Sequence, residues 1–155
     1  MNKNKIVIFS GSGISVASGL QTFRDIGGLW DQYDPGTMAS IQAWRSCPDK
    51  VLQFYNVRRK AVGLAIPAKA HAAISRLEEK YEVIVVTQNI DDLHERAGSS
   101  CVIHLHGEIR KARSTLDEDD VMDIGFGTIC TGDVCILGGQ IRPHVVLFGE
   151  KPMHM

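Results

Sequence analysis

With 155 residues, 44% of them hydrophobic, the chain has one domain's worth of sequence and enough apolar side chains for a real core. A formal net charge of −1 offers no basic footprint for nucleic acid, and no apolar run approaches the roughly 18 residues of a membrane span. The start Met1-Asn2-Lys3-Asn4-Lys5 lacks the apolar stretch and cleavage site of a signal peptide, so a soluble, cytoplasmic protein is expected. Its cysteines Cys47, Cys101, Cys130 and Cys135 are then expected as reduced thiols.

Residues 5–10 read as a strand, with Ile6-Val7-Ile8-Phe9 apolar throughout. Gly11-Ser12-Gly13 follows at once, a backbone poor in Cβ atoms that can approach a pyrophosphate closely before a short helix. A dehydrogenase fingerprint would put a third glycine where Val16 stands, and an acidic residue about twenty positions on at the end of a second strand. Asp31 and Asp34 lie near that distance but follow no strand, which disfavours an NAD-dependent oxidoreductase. Residues 48–63 lean to helix and Pro67 breaks it; residues 70–80 carry apolar side chains at helical spacing. The β-branched run 82–87 predicts a strand buried on both faces. Strand, helix, strand predicts an α/β fold built on a Rossmann-like parallel layer. Gln88-Asn89-Ile90-Asp91 then falls just past a strand's carboxyl end, where open parallel sheets bind ligands. Residues 108–140 turn charged and glycine-rich and read as a small inserted module, and residues 141–149 as the return into the sheet.

Beyond the glycine loop, Ser15, Ser18-Gly19, Phe23-Arg24 and Gly27-Gly28-Leu29-Trp30 complete a pattern that resembles the cofactor loop of the sirtuins, the NAD-dependent protein-lysine deacylases. Thr87-Gln88-Asn89-Ile90-Asp91 resembles that family's TQNxD motif, and His104-Leu105-His106-Gly107 its catalytic HG. Arg142-Pro143-His144-Val145-Val146-Leu147-Phe148-Gly149-Glu150 resembles its RPxVVxFGE. Four motifs stand in the family's order, and the chain is identified as a member of it. The resemblance implies NAD as cofactor and acylated-lysine proteins or peptides as partners, with nicotinamide and O-acyl-ADP-ribose released. Sirtuins normally continue for roughly another third of their length, which holds the adenosine half of NAD. Residues 1–155 therefore read as a partial catalytic domain, incomplete at the C-terminus, with an open sheet edge and uncovered apolar faces. The alternative is an inactive remnant that serves as a ligand- or peptide-binding module.

The resemblance also distributes roles. His106 is the expected general base, an imidazole that titrates near neutrality. Gly11, Ser12, Gly13 and Ser15 line the cofactor loop; Arg24 matches the family's phosphate and ribose contact, and Phe23 the ring that covers the reacting carbon. Trp30, Gln88, Asn89, Ile90 and Asp91 complete the NAD-binding set, Asn89 with amide donors and acceptors suited to a carboxamide. Asp92 and Glu95 are expected as a helix N-terminal cluster, and His71, His94, His104, His144 and His154 as structural or exposed residues. Gln21 stands where the family often has proline.

Tyr55 and Arg58 lie three apart, so on a helix they share one face. A guanidinium fork and a phenol suit a distal carboxylate, and the pair resembles the Tyr-x-x-Arg signature of sirtuins that remove succinyl and malonyl groups. Small Ala39 is compatible with a roomy acyl pocket. The family's module usually closes a zinc site with two cysteine pairs. Here Cys130 and Cys135 are five apart, and Ser114 stands where another cysteine belongs, so the ligand count argues against zinc and no metal is expected. Cys47 and Cys101 are expected as small buried hydrophobes.

Overall fold

The computed structural model describes residues 4–24 and 27–153; His154 lies outside them. β1 (Lys5–Ser10), β2 (Glu82–Thr87) and β3 (Val102–His104) form a parallel sheet in that order. Between β1 and β2 run α1 (Leu29–Gln32), α2 (Pro35–Met38), α3 (Ile41–Ser46), α4 (Pro48–Leu64) and α5 (Lys69–Arg76). α6 (Leu93–Arg96) precedes β3, a strand of three residues that the sequence does not announce. The parallel α/β layer is as expected, but β2 is not buried on both faces. Val83, Val85 and Thr87 are buried, whereas Ile84 and Val86 are half-exposed. The register explains this: Val7 lies beside Ile84 and Phe9 beside Val86, and Val7 and Phe9 are 61% and 64% exposed, so one face of the sheet stands open.

A second sheet is antiparallel, with β4 (Gly107–Ser114) between β5 (Val121–Asp123) and β6 (Ile141–Val145). Here the structure corrects the sequence reading. Residues 141–145 do not return to the parallel sheet; they pair with β4, Arg142 opposite Arg113 and Val145 opposite Gly107. A chain that doubles back on β4 pairs antiparallel without the long crossover that a parallel neighbour requires.

α4 packs against the antiparallel sheet. Pro48 begins it, with a fixed φ suited to a first helical position. Val51, Tyr55, Arg58 and Val62 recur at helical spacing on its buried side. Val51, Tyr55 and Val62 join Leu20, Leu29, Leu93, Ile109, Val145 and Leu147 in a core that lies against the antiparallel sheet, while Leu52, Ala112, Ile129, Cys135 and Ile141 form a smaller one. Fully buried Arg59 ties α4 to β4 and to the loop after β5 by donating to Ile109 O (2.7 Å), Asn56 Oδ1 (2.7 Å) and Gly127 O (3.2 Å); burial lowers its pKa to about 10.

His71 and His94 are buried with ring centroids 4.9 Å apart. His71 Nδ1 accepts from Ala68 N, and His94 Nε2 lies 3.0 Å from Ser10 Oγ, which itself donates to Thr87. Each ring thus keeps one nitrogen without a partner. Burial lowers both pKa values, that of His94 to about 4, and the His71 ring further disfavours charge on His94, as Arg96 does on His71. In the unfolded chain histidine protonates near its usual value of about 6.5, so the unfolded state takes up more protons below that pH. Stability held above pH ~6.5 is expected to drain as pH falls towards about 4. Calorimetry should show a Tm loss on the order of 5 °C over this interval, reduced in His94→Asn. An acid limb unchanged by that substitution would overturn the assignment.

Candidate active site

The two loop motifs converge past the carboxyl ends of β1 and β2. A cavity of about 330 Å³ opens there, walled by Ser12, Phe23, Arg24 and Trp30 on one side and by Gln88, Asn89, Ile90 and His106 on another, with Tyr55 from α4. A Cβ added at Gly13 would meet nothing within 4 Å, and one at Gly11 only Gln88 Oε1 at 4.0 Å, so the glycine-loop backbone faces open space. The segment after it is a 3-10 helix over Ser12–Ser18, closed by Gly19 at φ 84°. This left-handed conformation suits glycine.

Ser15 and Asp91 do not line the cavity but brace Asn89 from behind. Asn89 Nδ2 donates to Ser15 Oγ (3.2 Å), and Ser15 Oγ donates to Asp91 Oδ2 (3.0 Å). Burial raises the pKa of Asp91 above the usual carboxylate value, against the bonds from Ser15 and Leu93 N and the nearby charges of His71 and Arg58.

Three consecutive carbonyls of this loop are held from the segment around β3 and β4. Gln88 O lies 3.0 Å from His106 Nδ1, Asn89 O lies 2.7 Å from His104 Nδ1, and Ile90 O accepts from Ile109 N at 2.7 Å. A carbonyl only accepts, so Nδ1 of His106 carries a proton, and in the neutral ring Nε2 keeps its lone pair. His104 differs, because its Nε2 lies 2.7 Å from Glu95 Oε1, giving both ring nitrogens acceptors. Burial disfavours the charged ring, but the bonds to Glu95 and Asn89 and the charges of Glu95 and Glu108 outweigh it, and the pKa of His104 is raised. Among the described residues, only His106 offers a free basic nitrogen at the cavity. Glu95 lies in the first turn of α6 with Asp92 at its N-cap, as expected, and it also serves as the partner of His104. Asp92 pairs with Arg96 and Arg110.

Aromatic rings line one side of the cavity. Trp30 lies 5.3 Å from Phe23, 5.8 Å from Phe54 and 5.9 Å from Phe148 between centroids. Ala39 and residues 145–150 complete the wall. The sequence reads residues 145–148 as part of a strand and of a family motif, not as cavity residues, although their unbroken apolar run is the available signal. Glu150 anchors this segment by accepting from Arg142 at 2.6 and 3.0 Å and from Leu147 N at 2.8 Å.

The structure divides the Tyr55 and Arg58 pair. Both are buried on one side of α4, but Tyr55 reaches the cavity and Arg58 stands behind Phe23. The Arg58 guanidinium lies 5.1 Å from the Phe23 ring centre and donates to Gln21 O at 3.0 Å, while its buried Nε has no partner. Burial lowers its pKa, opposed by Asp91.

Cysteine placement differs from expectation at Cys47 and Cys101. Cys101 is exposed at the entry to β3 and Cys47 half-buried at a helix junction, since both occupy connections rather than core faces. Cys135 is buried and its Sγ donates to Ser114 Oγ at 3.3 Å, while Cys130 is exposed. Among the described residues, Glu95, His104 and Glu108 bring possible ligand atoms within 4.8 Å of one another, but His104 and Glu95 are paired and Lys111 neutralises Glu108. No helix of the described residues is long and apolar enough to cross a membrane.

Residues 11–155 match the model of the Sir2 family, and the chain belongs to that family. It is 47% identical over 150 residues to an NAD-dependent protein deacylase of Helicobacter pylori strain J99, covering 94% of this chain and 62% of that protein. It is 45% identical over 157 residues to an NAD-dependent protein deacylase of Vibrio cholerae, covering 97% of this chain and 63% of that protein. The chain thus spans less than two thirds of the length of these curated relatives. Among solved structures it resembles a Sir2 homologue variant bound to ADP-ribose, with TM-score 0.88 and 40% identity over 97% of this chain and 61% of that one. A Sir2 homologue bound to NAD gives TM-score 0.83 at 40% identity over 97% of this chain and 59% of that one.

Proposed function

We propose that this chain acts as an NAD-dependent protein-lysine deacylase that removes succinyl and malonyl groups, and acetyl groups to a lesser extent, releasing nicotinamide and O-acyl-ADP-ribose. The observation that carries the reading is a single basic nitrogen, Nε2 of His106, left free at a cavity walled by both nucleotide-loop motifs. The relatives' activity supports it.

NAD, when bound, supplies the ribose carbon that the acyl oxygen joins as nicotinamide departs. The residues present fit it. The open backbone at Gly11, Ser12 and Gly13 and the Arg24 side chain at the wall receive phosphates, and Asn89 offers an amide to the carboxamide. Ser15 and Asp91 hold that amide in place, and Gln88 and Ile90 flank it. Phe23 and Trp30 exclude water from the reacting face. His106 Nε2 takes the proton of a ribose hydroxyl.

The acyl preference rests on Tyr55 and Arg58. Arg58 is a buried cation with one N–H unsatisfied, and a carboxylate at the end of the acyl chain supplies the missing acceptor once the Phe23 ring turns aside. The Tyr55 hydroxyl makes no hydrogen bond to a described residue, and Tyr55 lines the same cavity. Mass spectrometry of matched succinyl-lysine and acetyl-lysine peptides, with and without NAD, is expected to show NAD-dependent loss of succinyl ahead of acetyl. Arg58→Met should lower desuccinylation by about tenfold or more, a charged hydrogen bond being worth roughly 1.5–3 kcal/mol, and leave deacetylation near its original rate. Equal loss of both activities would remove the acyl-pocket assignment.

A further inference from the structure

Glu95 and His104 stand outside the cavity, yet His104 touches the loop that walls it. His104 is buried at the end of β3, with Nδ1 2.7 Å from Asn89 O and Nε2 2.7 Å from Glu95 Oε1. Both neighbours accept, so satisfying both requires a proton on each nitrogen and makes the ring an imidazolium. We propose that Glu95 and His104 form a positioning ion pair that clamps the Asn89 carbonyl and thereby aims the Asn89 amide at the carboxamide end of NAD. This rests on the NAD-dependent reading of the site.

The clamp acts through a short path. Asn89 has its N–H bonded to Thr87 Oγ1 at 3.0 Å and its Nδ2 to Ser15 Oγ at 3.2 Å, so the carbonyl bond to His104 is the third restraint on one residue. A neutral ring carries one N–H and would have to release either Asn89 or Glu95. The charged groups around His104 favour the cation. Glu95 from α6 and Glu108 from β4 act on it directly, and His94 of α6 lies near enough to feel its charge. Asp91, Asp92 and Asp123 share a small hollow with it, along with Arg110 and Lys111, which are paired to Asp92, Asp123 and Glu108.

The sign follows. The raised His104 pKa means that the clamp is complete below the ordinary histidine value and is lost as pH rises through the raised one. Nitrogen-15 NMR of the full chain should show both His104 ring nitrogens protonated at neutral pH, and the Asn89 amide signals moving with the His104 titration. In Glu95→Gln, a substitution at a partly exposed side chain, the titration should move to lower pH. NAD affinity, read by Trp30 fluorescence, should fall several-fold at pH 8, with the alkaline limb displaced in the same direction. A neutral His104 at pH 7, Asn89 signals that ignore it, or an unchanged NAD affinity in Glu95→Gln would each overturn the proposal. If the wild-type chain binds no NAD, the functional reading fails, and the NMR titration alone decides whether the pair holds Asn89.

Discussion

His106→Ala is expected to reduce NAD-dependent deacylation by about 10²–10⁴ while the protein keeps its fold. The side chain is half-buried and makes one hydrogen bond, to Gln88 O, so its removal costs about 1 kcal/mol and moves Tm by roughly 2–4 °C. Against that small structural loss stands the whole contribution of the proposed general base catalysis. Chemistry and stability are therefore separable at this residue, which is not so for His104, bonded on both sides and buried. Deacylation rates and calorimetry on one preparation check the claim. A variant that turns over at the original rate would dismiss His106 as the base.

The largest expected loss of stability comes one residue later. Gly107 has φ 80°, and a Cβ built there would lie 2.2 Å from His144 O, a backbone atom that cannot swing aside. The positive φ costs a side chain about 1–3 kcal/mol, and the clash adds to it by forcing β4 away from β6, where Gly107 pairs with Val145. Gly107→Ala should lose about 3 kcal/mol or more, near 10 °C in Tm, and carry His106 out of line. Gly125 supplies the control. Its φ is 56° with nothing within 4 Å of the added Cβ, so Gly125→Ala bears only the conformational cost of about 1 kcal/mol. Equal melting losses in the two variants would show that backbone conformation, not the approach of His144, governs the site.

Much of this was legible in the residues because local chemistry and global position agree. β1 and β2 have apolar or β-branched runs, α4 is a helix-leaning segment broken by Pro67, and the structure places all three within a residue or two of expectation. The motif residues Ser12, Phe23, Arg24, Trp30, Gln88, Asn89, Ile90 and His106 meet at one cavity. What the sequence hides is long-range. β3 is three residues long and is defined by its pairing with β2 rather than by propensity. The partner of β6 follows from which strand the chain doubles back upon, and Arg58 lies behind Phe23 because of how the aromatic side chains pack. Glu95 and His104 are nine positions apart and fit no spacing rule; a turn between α6 and β3 brings them together.

The three carbonyl contacts on Gln88, Asn89 and Ile90 bear on the thermodynamics of recognition. Their donors, His106, His104 and Ile109, lie within six positions of one another, so the loop is restrained by the same short segment that carries His106. Ordering that loop is accomplished when the chain folds. A ligand entering the cavity therefore meets a wall already arranged, and less of its binding free energy is consumed in freezing the protein.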